Sequence, residues 1–190
     1  MDDSTKARHD IQHDIRHGIP PKIWHKIWHV GDDVDTDALA PGAYMQHGVD
    51  VIAPHCLENL LPEFAQAVRP GDVIVAGRNF GIGSSREQAA AVLVHLGVAA
   101  VIAPSFGGLF FRNAFNLGLL LLTLPTNFAK NGMLLNKEQT IYIGRGQMLI
   151  LSSGEQIQCD SVPDFLLEMV NLGGLMPRLK QRLGQDRPAA

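Results

Sequence analysis

Residues 72–90 read DVIVAGRNFGIGSSREQAA and place two hydroxyls and a guanidinium together behind a glycine-broken loop. The residues are Ser84, Ser85 and Arg86, and an alanine-rich run follows them. A helix N-terminus exposes unpaired amides and carries about half a positive charge. A serine oxygen there could be held as an anion, and a substrate carboxylate could bind beside it. The spacing predicts a helix over 85–96 with the serines at its first turn. The same residues also fit a plain helix start, because Ser84 with Glu87, and Ser85 with Gln88, have capping-box spacing. Gly81 and Gly83, on either side of Ile82, suggest close backbone approach or positive φ angles that a cap alone does not need. Gly77, Gly81 and Gly83 fit neither the phosphate-loop nor the dinucleotide-loop spacing, and no lysine follows.

Other residues with chemical potential are scattered. Asp35, Thr36 and Asp37 lie in GDDVDTDALAPG, which also reads as an Asx-rich turn bonding its own backbone. His9, His13 and His17 are four apart, so a helix would stack them on one side. Acidic residues are scattered nearby without a cysteine, which favours a solvated tail over a metal site. Cys56 and Cys159 are the two cysteines and form no CxxC pattern. They fit a reducing compartment with no disulfide framework.

The elements that must position these groups read as a mixed α/β domain. Strands are expected over 23–30, 49–53, 73–76, 98–103 and 119–124, with 98–103 apolar enough to be buried on both faces. Residues 55–68 read as helical segments broken at Pro62. Helices are expected over 85–96, stopped by Gly97, and over 108–117, stopped by Gly118. Residues 140–143 and 148–151 suggest a hairpin, 164–170 a helix, and a basic helix runs from Pro177. Residues 1–22 are a polar leader expected to be poorly ordered, 23–183 the domain, and 184–190 a tail.

Composition narrows the class. With 190 residues, 46% apolar and 18% charged, the chain is expected to be one globular domain. Its net charge of −3, without a basic stripe, argues against nucleic acid. No apolar run reaches the roughly 18–20 residues needed to span a bilayer, so no membrane role is expected. The start has no apolar signal region, and a cytoplasmic enzyme is the default expectation.

Four stretches, in order, carry a family resemblance. GRNFGIGSSREQAA resembles the G-x-N-F/Y-G-x-G-S-S-R-E-H-A signature of the aconitase superfamily's swivelling domain. GDDVDTDALAPG resembles the D-x-D-T-D-x-I-x-P segment of the 3-isopropylmalate dehydratase small-subunit family. VIAPSFGGLFFRNAFNLGLL and LLEMVNLGGLMPRLKQRL resemble its later segments. Together they span about residues 28–183.

The resemblance implies a single swivelling β/β/α domain, a mixed sheet with flanking helices. The implied reaction moves water across a C–C bond beside a carboxylate. Such a family isomerises 2-isopropylmalate to 3-isopropylmalate by dehydration and rehydration in leucine biosynthesis. By resemblance, Ser84 is at the position of the catalytic base, and Ser85 and Arg86 hold substrate, Arg86 as a bidentate clamp. The loop after the Asp35-Thr36-Asp37 motif would select the substrate with Tyr44, Met45 and Gln46. Asp35, Thr36, Asp37, Asn79, Gly81 and Gly83 would support the site.

The family's Lewis acid is a 4Fe–4S cluster with one iron open to substrate. Cys56 and Cys159 match no ligand position, so this chain is expected to bind neither metal nor cofactor. The cluster belongs, on this reading, to a separate large subunit, in a heterodimer or heterotetramer acting on a small 2-hydroxy acid. Relatives that bind an extra carboxylate carry an arginine in the selecting loop. This chain has none between Lys26 and Arg69, and Tyr44-Met45 suits an alkyl group better. Gln88, Pro104 and Gly108 depart from the family's usual histidine, lysine and arginine, which points to a divergent relative. The alternatives are a dimethylmalate dehydratase or homoaconitase type of small subunit, or a non-catalytic partner that kept the fold.

Overall fold

In the computed structural model, residues 23–125, 140–144 and 147–185 are described. Their seven strands form one sheet in the order β4-β3-β2-β1-β5-β6-β7, and its two halves obey different rules. The strands β1 (Trp24–His29), β2 (Val73–Val75), β3 (Ala100–Ala103) and β4 (Leu120–Thr123) run parallel. Every residue of β2 and β3 is buried. Parallel strands covered on both faces need such unbroken Val, Ile and Ala runs.

The other half is antiparallel: β5 (Thr140–Ile143), β6 (Met148–Leu151) and β7 (Gln156–Gln158). Here burial alternates, with Leu149, Leu151 and Ile157 buried and their neighbours more open, as a sheet with one covered face requires. The seam is β1, whose first half pairs with β5 and second half with β2. Trp28 anchors the seam. Its indole Nε1 donates to buried Asp72 Oδ2 at 2.9 Å, and its ring meets Phe64 edge-on at 5.2 Å.

Seven α-helices accompany the sheet among the described residues: α1 (Thr36–Leu39), α2 (Val49–Ile52), α3 (Phe64–Ala67), α4 (Glu87–His95), α5 (Gly108–Asn116), α6 (Asp164–Asn171) and α7 (Leu175–Gln185). Single 3-10 turns cover Gly42–Tyr44 and Ala53–His55. None of these helices is long and apolar enough to cross a membrane.

The mixed sheet, the hairpin and the long helices agree with expectation. Three differences have physical causes. Residues 49–53 form α2 and the start of a 3-10 turn, not a strand. Val51 and Ile52 amides bond back to Gly48 O, at 3.0 and 3.3 Å, and only one side of the segment is buried. The helix expected from residue 85 starts at Glu87, with Arg86 as its cap, so Ser84 and Ser85 precede the first turn. Strand β7 was not foreseen, since Q-I-Q turns one apolar side chain inward.

The closing helix starts at Leu175, which puts Pro177 in the first turn, where a missing N–H costs nothing. The leader with His9, His13 and His17, and the turn residues 145–146, lie outside the described residues.

Candidate active site

Three loops leave the C-terminal ends of the neighbouring parallel strands β1, β2 and β3, the place where open α/β sheets bind ligands. Their backbones are stitched together. Asp33 N–H donates to Arg78 O at 2.7 Å, Gly81 N–H to Val34 O at 2.7 Å and Thr36 N–H to Ile82 O at 2.8 Å. Phe80 N–H donates to Ser105 O at 3.0 Å, and Gly107 N–H returns to Phe80 O at 2.8 Å. Asn79, itself at φ 59, reinforces this: its Nδ2 donates to Asp33 Oδ1 at 2.7 Å and its N–H to Ser105 Oγ at 2.9 Å.

The two glycines are explained by this crowding. Gly81 has φ 75, and a Cβ there would lie 2.2 Å from Phe110 Cγ. Gly83 has φ 107, and its Cβ would lie 3.1 Å from Thr36 Oγ1. Both predicted features, close approach and positive φ, are therefore present.

Ser84 is exposed and tied to buried Thr36 by two contacts. Its N–H donates to Thr36 Oγ1 at 3.1 Å, and its own Oγ lies 3.1 Å from that same oxygen. Thr36 Oγ1 already accepts the Ser84 amide, so its hydroxyl hydrogen is available to Ser84 Oγ. This arrangement can stabilise negative charge on the serine oxygen. The helix starts late because Arg86, at φ −58 and ψ 110, is not in the helical conformation. Ser85 is exposed too, and its carbonyl accepts from Nδ2 of buried Asn113 at 3.2 Å.

Arg86 already has partners in the chain. Its Nη1 donates to Asp37 Oδ1 in a short contact and to Ala40 O at 3.1 Å. The side-chain bond from Arg86 holds the Asp37 carboxyl below the usual carboxylate range, aided by the Gly42 N–H and opposed by slight desolvation. Asp35 takes the structural role that an Asx turn predicts: it caps α1, accepting from Ala38 N–H at 2.7 Å. The motif thus divides its labour among cap, serine partner and arginine partner.

Thr36, Asp37, Ser84 and Arg86 are brought together; Tyr44, Met45 and Gln46 are placed beside them. These three follow Gly42, whose N–H is bonded to Asp37 Oδ1 at 3.0 Å, and among the described residues they make no hydrogen bond to Ser84 or Arg86. Tyr44 and Met45 are half-buried against the core, and Gln46 is exposed. Sequence reasoning missed Asn113 and Ser105. Asn113 could have been noticed as the one amide on the buried side of an F-F-R-N-A-F helix.

Neither cysteine suits an iron–sulfur cluster. Cys56 is fully buried and Cys159 is 3% exposed. Burial pushes the Cys56 thiol far up and the Cys159 thiol up to about 12, and neither presents its sulfur at the surface. Among the described residues, no group of three His, Cys, Asp or Glu side chains is placed to hold a metal ion.

Comparison with known proteins places this site in a family. The family model for the aconitase C-terminal domain matches residues 55–127. The methanogen homoaconitase small subunit of Methanothermobacter thermautotrophicus is 45% identical over 147 residues, covering 77% of this chain and 84% of that one. The 3-isopropylmalate dehydratase small subunit of Moorella thermoacetica is 41% identical over 154 residues, covering 80% and 92%. The crystal structure of 3-isopropylmalate dehydratase from Methanocaldococcus jannaschii superposes with a TM-score of 0.75 at 36% identity, covering 86% of this chain and 96% of that one. A swivelling-domain sheet, an intact serine–arginine loop and relatives of this extent agree: the chain belongs to the 3-isopropylmalate dehydratase small-subunit family of aconitase-type hydro-lyases.

Proposed function

We propose that this chain supplies the base and the carboxylate clamp of a two-subunit hydro-lyase that interconverts 2- and 3-isopropylmalate, the leucine-pathway reaction. The base is Ser84. Its Oγ takes a proton from the carbon beside a carboxylate, the C–H electron pair becomes the double bond, and hydroxide leaves the neighbouring carbon. Rehydration in the opposite sense, with Ser84 returning the proton, gives the isomer. A carbon-bound proton needs a base stronger than a carboxylate, and an alkoxide is one.

The observation that supports this most is the exposed Ser84 hydroxyl 3.1 Å from the buried Thr36 hydroxyl, whose oxygen already accepts the Ser84 amide. The exposed serine hydroxyl passes its proton to solvent, at lower cost when that donor faces the resulting charge. Arg86 and the amides of Glu87 and Gln88 at the start of α4 offer a substrate carboxylate its partners, since the cap brings no side-chain acceptor of its own. The 4Fe–4S cluster of such an enzyme would come from a separate large subunit, since the buried thiols here do not suit it. The reducing cytoplasm is the matching compartment.

Substrate choice is read from Tyr44 and Met45. Both are half-buried and apolar, and the chain has no Lys or Arg between Lys26 and Arg69. A third carboxylate brought there would lose water without gaining a cation. The homoaconitase-type reading is favoured by relatives of that name at 45% and 40% identity. A substrate panel on the chain reconstituted with its large subunit separates the two. Isopropylmalate should be turned over with kcat/KM at least about tenfold above any homocitrate-type tricarboxylate, as one uncompensated buried charge implies. A preference for the tricarboxylate overturns the assignment.

A further inference from the structure

A second set of side chains lies beside the substrate-selecting loop, and the motifs leave it without a role. The 3-10 turn Ala53–His55 delivers the His55 ring against Tyr44, with centroids 3.7 Å apart and planes 11° from parallel. His55 is held in turn, because its Nδ1 lies 2.7 Å from Glu58 Oε2. The turn carrying both is itself anchored. Leu57 is fully buried at φ 59, and its N–H donates to Ala38 O at 2.8 Å. Ala38 belongs to α1, the same short helix that carries Thr36 and Asp37. The His55 platform and the proposed clamp therefore share one backbone support.

One side of Tyr44 packs against the core, and His55 stacks flat on its ring. Tyr44 ends a three-residue 3-10 turn with no side-chain cap. Isolated turns of this length do not by themselves specify a side-chain position. A parallel stack on a ring held by Glu58 adds such a restraint, and aromatic pairs contribute beyond their buried area.

We infer that His55, oriented by Glu58, is a positioning residue for substrate selection: it fixes the Tyr44 ring and with it the wall met by the substrate's substituent. The inference rests on the proposed function and deepens it. His55 touches no reacting atom, so its effect falls on discrimination between substituents and not on proton transfer.

The test uses the reconstituted two-subunit enzyme with His55→Ala, His55→Phe and Glu58→Gln, measuring kcat and KM for malates bearing isopropyl and methyl groups. His55→Ala should lower the isopropyl-over-methyl preference in kcat/KM by about three- to tenfold, the loss of one aromatic pair. The change should lie in KM, with kcat nearly kept, and His55→Phe should restore it by keeping a flat ring. Glu58→Gln should fall between. An unchanged preference in His55→Ala, or an equal fall in kcat for both substrates, overturns the inference. A wild-type enzyme that turns over neither malate sinks the functional reading itself. Proton NMR of the full chain provides a check independent of activity and of the His55 variants. The His55 ring protons should be shifted upfield and should relax when Tyr44 is replaced by Leu; no movement contradicts the stack as a fixed feature.

Discussion

At the scale of single residues, the site is a set of polar groups that answer one another. Thr36 is useful because its oxygen accepts the Ser84 amide and lies 3.1 Å from the Ser84 hydroxyl, close enough to donate to that oxygen once it is charged. Asp37 keeps Arg86 extended and oriented before any substrate arrives. Because the folded-state pKa of Asp37 is lowered, the pair's contribution is present above the ordinary value of 3.8 and is lost as pH falls through the lower folded value. An NMR titration should place the Asp37 midpoint below 3.8, and Arg86→Gln should move it up toward that value. A midpoint at or above 3.8 in the wild type contradicts the pairing. Asp37 is largely exposed, so the effect concerns orientation far more than global stability. The sequence made Ser84, Ser85 and Arg86 legible because serine and arginine in a glycine loop are unusual. It did not reveal that Asp37 answers Arg86, since the two are 49 positions apart and only the fold brings them together.

At the scale of elements, the loop works because glycine allows three backbones to touch. Gly81→Ala puts a methyl group against the Phe110 ring at φ 75, combining steric clash with backbone strain. It should destabilise the chain by about 2–4 kcal/mol in chemical denaturation, the sum expected for overpacking and a left-handed non-glycine residue. A loss under about 0.5 kcal/mol, the scale of an ordinary surface change, contradicts the close-packed loop. The buried strands β2 and β3 were legible because long apolar β-branched runs have few other uses. Residues 49–53 were not. A five-residue apolar stretch satisfies either period, and the choice of helix falls to Gly48 and to packing of Ile52 into the core. The start of α4 was misplaced because capping-box spacing is local, whereas Arg86 keeps a non-helical backbone and its side chain is held by Asp37, 49 residues distant in sequence.

At the scale of the whole molecule, the chain belongs to a family of small subunits, and its proposed site lies open on one end of the sheet. Ser84 stands exposed and Arg86 half-buried beside it at the C-terminal ends of the parallel strands, and both cysteines are buried. The overall fold was legible from four ordered motifs and the alternation of strands with helices. The central claim is that Ser84 provides the base to an assembled enzyme. The direct measurement is turnover of isopropylmalate by the large subunit reconstituted with wild-type or Ser84→Ala chain, with assembly checked by sedimentation. The account predicts a fall in kcat of about 10²–10⁴, the range for a lost general base, with assembly and KM little changed. Turnover within a factor of a few of wild type contradicts it.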